Sequence, residues 1–241
     1  MRCSIQNLTF TYDGSSEPVF PGWSAELDTG WRLGLTGRNG RGKTTLLRLM
    51  MGELPHGGQI SLPLQPVYFP YSVSDPEDMT LNVMQEAAGG EPKWKLMKEM
   101  RLLEVTEDAL YRSFSTLSRG EQTKALLCAL FAREDAYPLI DEPTNHLDLL
   151  GRQAVAEYLR RKDGFLLVSH DRAFLNDCVD HILSINKTGF QVIQGDYDTW
   201  EEQFDRQNAY ELKRNEGLKK EIGRLNQSAR QASQFAQKAE K

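Results

Sequence analysis

The sequence predicts an α/β fold with four parts: a parallel sheet around a phosphate-binding loop, an antiparallel β subdomain, a helical subdomain and a C-terminal coiled-coil helix. Three observations carry this prediction. A glycine-rich loop at Gly37–Thr44 lies between an apolar strand pattern and an apolar helical pattern. Two further apolar runs end in acidic or histidine side chains. Apolar residues recur at heptad spacing from Leu218 to Ala239.

A strand pair is predicted at the start of the chain. Residues Ser4 to Tyr12 alternate between polar and apolar, the segment Trp23 to Leu27 is a candidate partner, and turn residues at 13–16 separate the two. Tyr12 lies upstream of the phosphate loop and is a candidate to stack on a nucleotide base. Ordinary packing accounts equally well for a lone aromatic residue at a strand end.

The octet from Gly37 to Thr44 fits the spacing G-x-x-x-x-G-K-[ST] of the phosphate-binding loop. Gly37 and Gly42 let the backbone turn so that successive N–H groups point at phosphate oxygens. The helix that begins near Lys43 adds the positive end of its dipole. Lys43 is predicted to reach the β- and γ-phosphates, and Thr44 to coordinate Mg²⁺. The candidate nucleotide contacts in this segment are Gly37, Arg38, Asn39, Gly40, Arg41, Gly42, Lys43, Thr44 and Thr45.

Short strands and a helical insertion follow the first helix. The strands are predicted at Gln59–Leu62 and Pro66–Tyr71, and residues 80–113 have the periodicity of helices. The end of the body is predicted to be a hairpin of Ile182–Ile185 with Phe190–Ile193.

The segment before the apolar helix at 125–132 allows two interpretations. Ser118 and Glu121 have the spacing of a capping box, which explains both residues without any ligand. Together with Gly120, however, they offer N–H groups, a hydroxyl and room for close approach, which are the features of an anion site. We therefore keep Ser118, Gly120 and Glu121 as candidate nucleotide contacts.

Two apolar runs end in side chains suited to phosphate chemistry. The first ends in Asp141 and Glu142, and an acid at a strand end of a phosphate-loop enzyme holds Mg²⁺, which assigns that role to Asp141. Glu142 would orient or deprotonate the attacking water. The second run ends in His170, a candidate sensor of the γ-phosphate. Pro138 cannot donate to a central ladder, so we expect a bulge or an unsatisfied position there.

Composition limits the class of protein. A chain of 241 residues that is 39% hydrophobic fills one large domain with an appendage and is not disordered as a whole. No apolar run reaches the roughly 18 residues that a membrane span needs, and no signal peptide follows Met1, so we expect a cytoplasmic location. The three cysteines lack metal-site spacing and are interpreted as reduced thiols.

Charge and periodicity change together near the C-terminus. Residues 1–205 carry 20 basic and 30 acidic side chains, whereas residues 206–241 carry nine basic and four acidic ones. We therefore predict a nucleotide-binding domain over 1–199 and a basic helical appendage over 200–241. Its charged faces fit a solvated helix as well as one that faces a nucleic acid. Because a lone coiled-coil strand cannot bury its seam, the appendage is expected to be half of a hairpin.

The motifs together resemble the ATP-binding cassette (ABC) ATPases over essentially the whole body. The octet at Gly37–Thr44 matches the Walker A motif, and Asp141 with Glu142 matches Walker B and its catalytic glutamate. Ser118–Gln122 resembles the LSGGQ-type signature. The resemblance implies an ATPase that binds ATP and Mg²⁺, with Thr44 and Asp141 as the metal ligands.

Three smaller features extend the resemblance. Leu147 and Asp148 are similar to the D-loop, His170 to the switch histidine, and Tyr12 to the aromatic residue that stacks on adenine. The resemblance therefore implies that Glu142 and His170 are catalytic.

Within the superfamily, Asp141–Asp148 and Val168–Leu175 resemble the ABC-F branch of soluble, cytosolic ATPases that act on the ribosome. In that branch a basic helical hairpin between two cassettes reaches peptidyl-tRNA, which implies that residues 200–241 are the first arm of that linker. Gly37–Gly42 and Tyr68–Tyr71 are similar to members that protect ribosomes from lincosamides, streptogramin A and pleuromutilins. The implied partners are the ribosome with its tRNA and a second cassette, from a C-terminal half or a second copy.

The sequence departs from this family in three respects. Tyr71 stands in the place of the Q-loop glutamine, and Arg119 replaces the first glycine of the signature. One Walker A motif and one signature are present where an ABC-F protein has two of each. We therefore expect an N-terminal cassette with the start of its linker, either as a piece of a longer protein or as a divergent single-cassette protein. The signature completes the site of the opposing cassette, which implies weak activity for one cassette alone. The alternative function is the ATPase subunit of an ABC membrane transporter, because such subunits are often separate chains.

Overall fold

The computed structural model describes residues 1–38, 40–186 and 188–210, and beyond these residues 214, 219 and 222. The chain divides into two units, Met1–Tyr197 and Asp198–Lys241. In the part of the second unit that is described, residues 198–210 are helical, and the rings of Trp200 and Phe204 stack with centroids 5.2 Å apart. The heptad seam predicted from Leu218 onward lies outside the described residues, apart from Ile222.

The predicted strand pair is confirmed as part of a three-stranded antiparallel sheet. Its strands are β1 (Arg2–Phe10), β2 (Phe20–Asp28) and β4 (Gly57–Ser61). Both β2 and β4 pair with β1, so the order is β2-β1-β4. The first strand ends at Phe10 rather than at Tyr12, which leaves the Tyr12 side chain beyond the sheet.

The second sheet has six strands and contains the predicted parallel core. Its members are β3 (Arg32–Gly37), β5 (Gln65–Phe69), β6 (Ala136–Asp141), β7 (Phe165–Val168), β8 (His181–Ile185) and β9 (Phe190–Gln194). The order is β5-β6-β7-β3-β8-β9; all neighbours are parallel except the predicted hairpin of β8 and β9. The carboxyl ends of β3, β6 and β7 therefore meet at one edge.

Pro138 is accommodated without the bulge that the sequence suggested. The parallel register of β5 and β6 continues through it, with Val67 opposite Pro138. On the other side, β6 pairs with β7 only from Leu139 to Asp141. Pro138 thus precedes the section of β6 that has a partner on both sides.

Six α-helices complete the described part of the first unit. They are α1 (Lys43–Met50), α2 (Thr80–Ala87), α3 (Lys93–Leu102), α4 (Arg119–Ala132), α5 (Leu149–Arg160) and α6 (Arg172–Cys178). The predicted helical insertion is α2 and α3 followed by 3₁₀ helices at Glu107–Tyr111 and Phe114–Thr116. Within the described residues, no helix is both long and apolar enough to cross a membrane.

The core lies between the two sheets, around α1. Leu46, Leu47 and Leu49 of this helix are at most 1% exposed and pack with buried residues of both sheets. Burial of a leucine side chain is worth about 1.5–3 kcal/mol, so this packing fixes the helix that follows the phosphate loop.

A buried polar contact joins the helical insertion to α5. Glu99 of α3 is 5% exposed, accepts a hydrogen bond from the Tyr158 hydroxyl and is ion-paired with Lys162. The Lys162 ammonium also lies over the ring of Tyr158, 4.7 Å from its centroid. These contacts satisfy the buried carboxylate, as a charge removed from water requires.

Candidate nucleotide-binding site

The phosphate loop opens into a cleft of about 640 Å³. The cleft brings together segments that are far apart in the chain, because the carboxyl ends of parallel strands meet at one edge of the sheet. Nine predicted site residues line it: Tyr12, Gly40, Gly42, Lys43, Thr44, Thr45, Asp141, Glu142 and His170. Gly37, Arg38 and Arg41 belong to the same loop without lining the cleft, and Asn39 lies outside the described residues.

Gly42 is the N-cap of α1 and needs both the freedom and the small size of glycine. Its φ of 96° is in the left-handed region, which L side chains rarely adopt. A Cβ atom there would lie 2.6 Å from Cγ1 of Val19 and 3.0 Å from Cζ of Phe20. The helix therefore begins at Lys43, as predicted, and its first N–H groups have no partner within the helix. A phosphate is a suitable acceptor for such groups.

The ammonium of Lys43 lies across its own loop. Its Nζ donates to the Gly37 carbonyl oxygen at 2.9 Å. Burial lowers the pKa of Lys43, while the carboxylates of Glu142 and Asp141 oppose the shift. A cation at the phosphate loop is placed to bind the polyanionic part of a nucleotide.

Asp141 and Thr44 are neighbours at the mouth of the loop. The Thr44 hydroxyl lies 3.5 Å from Oδ2 of Asp141, which also accepts a 3.0 Å hydrogen bond from the Tyr68 hydroxyl. Among the described residues, no group of three or more His, Cys, Asp or Glu side chains could hold a metal ion alone. This is consistent with Mg²⁺, which binds through one or two carboxylates together with substrate phosphates. The hydroxyl and carboxylate oxygens present fit that ion.

Glu142 has an unusual backbone conformation and an unpartnered oxygen. Its φ of 52° places a non-glycine residue in the left-handed region, where its N–H donates to the Val168 carbonyl at 2.9 Å. Such strain is of order 1–3 kcal/mol and is common at functional sites. The Oε1 atom is buried without a hydrogen-bond partner, and Nε2 of His170 lies 3.7 Å away. Burial raises the pKa of Glu142, and a backbone hydrogen bond from His170 opposes the rise.

His170 is more open to solvent than Glu142. It follows β7, and its side chain is 66% exposed, against 20% for Glu142. An exposed imidazole at the rim of the cleft can contact a bound phosphate without first displacing protein contacts. The position agrees with the predicted sensor role but does not test it.

Tyr12 lines the cleft, and its hydroxyl is hydrogen-bonded to another residue of the cleft. That hydroxyl lies 2.9 Å from Oγ1 of Thr45, and the ring packs edge-on against Phe10 with centroids 4.8 Å apart. The side chain is 43% exposed, so part of the ring remains open to a base.

Replacing Tyr12 by alanine is expected to weaken ATP binding about tenfold, because base–aromatic stacking is worth about 1–3 kcal/mol. Tyr12→Phe, which keeps the ring, is the matched control and should bind ATP within about twofold of the wild type. Calorimetric titration with ATP and with tripolyphosphate measures the effect. Equal losses for both ligands would contradict stacking on the base, because tripolyphosphate has none.

The signature-like segment lies apart from this cleft. The Ser118 hydroxyl accepts from the Glu121 N–H at 3.3 Å, and the Glu121 carboxylate accepts from the Ser118 N–H at 2.8 Å, so the capping box is confirmed. Ser118, Gly120 and Glu121 line another pocket, of about 460 Å³, together with Leu147 and Asp148. The structure therefore does not bring these three candidates to the phosphate loop of their own chain.

Four residues that line the cleft were not predicted as site residues from the sequence: Tyr68, Pro70, Asn145 and Val168. Tyr68 appeared there only as an aromatic residue of a strand, and Asn145 only as part of a loop. Nothing in the local pattern indicates that the Tyr68 hydroxyl meets a carboxylate 73 positions later. A loop residue next to Glu142 could have been suspected from its position at a strand end.

Fold and cleft together define a nucleotide-binding domain of the phosphate-loop class. The family described as "ABC transporter" matches residues 21–145, more than half of the chain. This chain therefore belongs to the ABC transporter family, whose ATP-binding domains are ATPases.

Relatives and solved structures agree with the family. The ribosome protection protein VmlR of Bacillus subtilis is 29% identical over 242 residues, covering 99% of this chain and 42% of VmlR. ABC transporter F family member 2 of Arabidopsis thaliana is 28% identical over 230 residues, covering 92% and 34%. The chain thus spans less than half the length of either relative. A putative metal-chelate type ABC transporter in an inward-facing conformation matches with a TM-score of 0.66 at 25% identity, covering 80% of this chain and 82% of that one.

Proposed function

We propose that this chain is the ATP-binding and ATP-hydrolysing cassette of an ABC-F protein that acts on the ribosome in the cytoplasm. One observation carries the proposal: similarity to a ribosome protection protein covers 99% of the chain and so includes the segment after the cassette. We extend the proposal to protection of ribosomes from antibiotics.

The proposed roles of the two parts of the chain follow from the distribution of charge along the sequence. The cassette comprises residues 1–199, and residues 200–241 form the first arm of a linker that contacts ribosomal RNA or tRNA. The structure itself divides between Tyr197 and Asp198. Nine basic and four acidic side chains over 206–241 supply the cations that phosphate contacts require.

The residues of the cleft support ATP hydrolysis by direct attack of a water molecule. Lys43 and the first N–H groups of α1 would bind the phosphates, while Thr44 and Asp141 would hold Mg²⁺, which neutralises charge on the β- and γ-phosphates. Glu142 would take a proton from the attacking water through its unpartnered Oε1. Its raised pKa favours that role, because a base works best when its pKa approaches the working pH.

A second cassette is the proposed partner in the reaction. The pocket with Ser118 and Gly120 lies on another part of the surface and would close the ATP site of an opposing cassette. Beside it, Leu149 and Leu150 are 71% and 74% exposed. Adjacent exposed leucines support a protein interface there. A single copy of this chain would accordingly hydrolyse ATP weakly.

Ribosome binding is testable by sedimentation through a sucrose gradient. We expect the 241-residue chain with Glu142→Gln to sediment with ribosomes in the presence of ATP and Mg²⁺. A cassette that cannot hydrolyse ATP remains in its ATP-bound state. Changing Lys219, Lys220 and Arg224 to glutamate should remove it from the ribosomal fractions at physiological salt, since each lost phosphate contact removes a counterion-release contribution to the affinity.

The control is Lys98→Glu with Arg101→Glu on α3, a pair of exposed cations in the first unit, which should leave sedimentation unchanged. A Glu142→Gln chain that binds ATP yet stays at the top of the gradient would contradict the proposed function.

A second candidate function is the ATPase subunit of a membrane transporter, favoured by the match to the metal-chelate type transporter. Tyr71 argues against it, because it stands where the family has a Q-loop glutamine and its hydroxyl is bound to the Leu126 carbonyl. Co-purification with a membrane permease, and absence from ribosomal fractions, would favour this candidate.

A further inference from the structure

Tyr68 and Tyr71, at the end of β5, form hydrogen bonds with different parts of the fold. The Tyr68 hydroxyl donates to Oδ2 of Asp141 at 3.0 Å, inside the nucleotide cleft. The Tyr71 hydroxyl donates to the Leu126 carbonyl of α4 at 2.9 Å, and Tyr71 lines another pocket. One segment of four residues thus contacts the nucleotide cleft and the helix that begins with the capping box.

We propose that Tyr68 is the positioning residue of the metal site, and that it acts by fixing the Asp141 carboxylate through this hydrogen bond. Tyr71, in the place of the Q-loop glutamine, holds α4 and takes no part in the metal site. The proposal rests on the proposed function, because it takes Asp141 as the magnesium ligand.

The sheet register explains how Tyr68 reaches Asp141. Strands β5 and β6 are parallel neighbours, and Tyr68 lies level with Leu139, two residues before Asp141. Two residues along a strand rise about 6.6 Å, a length that a tyrosine side chain spans. A shorter side chain at position 68 would leave the carboxylate without this donor.

The hydrogen bond selects one orientation of the carboxylate. The terminal torsion of aspartate is broad, so an unheld carboxylate samples many orientations. Tyr68 donates the shorter hydrogen bond to Oδ2, at 3.0 Å against 3.5 Å for Thr44, and the side-chain hydrogen bonds of Asp141 among the described residues both go to this oxygen. One oxygen is therefore tied to the protein while the other is left for a cation. Hydrogen bonds to metal-ligating carboxylates commonly set the affinity of such sites.

Tyr71 supplies a matched control on the same strand end. Burial raises the pKa of Tyr71, and its ring meets Phe69 edge-on with centroids 6.3 Å apart. Tyr71→Phe removes one buried hydroxyl, as Tyr68→Phe does, but leaves Asp141 untouched. A difference in metal binding between the two variants isolates the contact with Asp141.

The test is a titration of the 241-residue chain with Mn²⁺ as the probe metal, followed by electron paramagnetic resonance, at saturating ATP. In Tyr68→Phe we expect about a tenfold loss of Mn²⁺ affinity. Affinity for ATP in the presence of a chelator should stay unchanged, because the phosphates then bind only the loop. Tyr71→Phe should bind Mn²⁺ within about twofold of the wild type.

A double-mutant cycle distinguishes positioning from a general structural effect. If Tyr68 acts through Asp141, then Tyr68→Phe should cause no further loss of Mn²⁺ affinity in an Asp141→Asn background. Wild-type Mn²⁺ affinity in Tyr68→Phe, or additive losses in the cycle, would overturn the proposal. A wild-type chain that binds no ATP would instead contradict the proposed function, and this inference with it.

Discussion

Replacing Lys43 by alanine is expected to reduce ATP affinity about 100-fold, because hydrogen bonds to charged groups contribute about 1.5–3 kcal/mol each and Lys43 would make them to two phosphates. The structure adds a second cost. The charges of Glu142 and Asp141 both act on the pKa of the Lys43 ammonium. Without the ammonium, the triphosphate would approach these two carboxylates with no lysine charge to offset them, so repulsion adds to the lost contact.

Calorimetric titration of the 241-residue chain with ATP and Mg²⁺ measures this loss. Lys98→Ala is the control, since Lys98 is an exposed lysine of α3 outside the cleft. It should bind ATP as the wild type does, and thermal melting should show that Lys43→Ala remains folded. An affinity within twofold of the wild type would refute the assignment of the cleft as the ATP site.

The predictable part of the site consists of local patterns. The phosphate loop was identified because Gly42 and Lys43 have fixed positions in an octet, and the structure shows why: a Cβ at Gly42 would meet Val19 and Phe20. Asp141 and His170 were found because each follows a run of apolar residues, and such runs become neighbouring parallel strands whose ends meet. Spacing along the chain was sufficient for these residues.

The part that escaped prediction depends on contacts between strands and on backbone geometry. The hydrogen bond of Tyr68 with Asp141 requires β5 to lie beside β6 in one particular register, which no local pattern encodes. The left-handed conformation of Glu142 depends on its hydrogen bond to the end of β7. The sequence predicts a bulge or an unsatisfied position at Pro138, yet the register continues through it with β5, and pairing with β7 begins only after it.

Ser118 illustrates a sequence pattern that is compatible with two roles. Its capping box is present, so the residue is fully explained as the start of α4. The same hydroxyl and N–H groups line a surface pocket beside Asp148. An N-cap does not exclude anion binding, because both use the free N–H groups at a helix start.

Replacing Glu142 by glutamine is expected to lower the rate of ATP hydrolysis by about 10²–10⁴-fold, the usual contribution of a general base. Glutamine has nearly the same shape and cannot accept the proton, so ATP affinity should change by less than about threefold. The measurement is the rate of phosphate release. Repeating it at several protein concentrations separates the effect of the substitution from the effect of cassette pairing. His170→Ala should reduce hydrolysis less, because the imidazole is exposed and lies 3.7 Å from the glutamate.

The same substitution should raise the melting temperature at neutral pH. Burial holds the pKa of Glu142 above its usual value of 4.5, so the protonated form favours the folded state. That contribution is complete below pH 4.5 and is lost as the pH rises through the folded-state pKa. Above the folded-state pKa the wild type bears the cost of a buried carboxylate, and glutamine does not. The stability gained by Glu142→Gln should therefore be largest near pH 7 and shrink toward pH 4.5, as melting curves across this range would show. A gain independent of pH would mean that the carboxylate is not destabilised by burial, and would remove the physical reason for its role as the base.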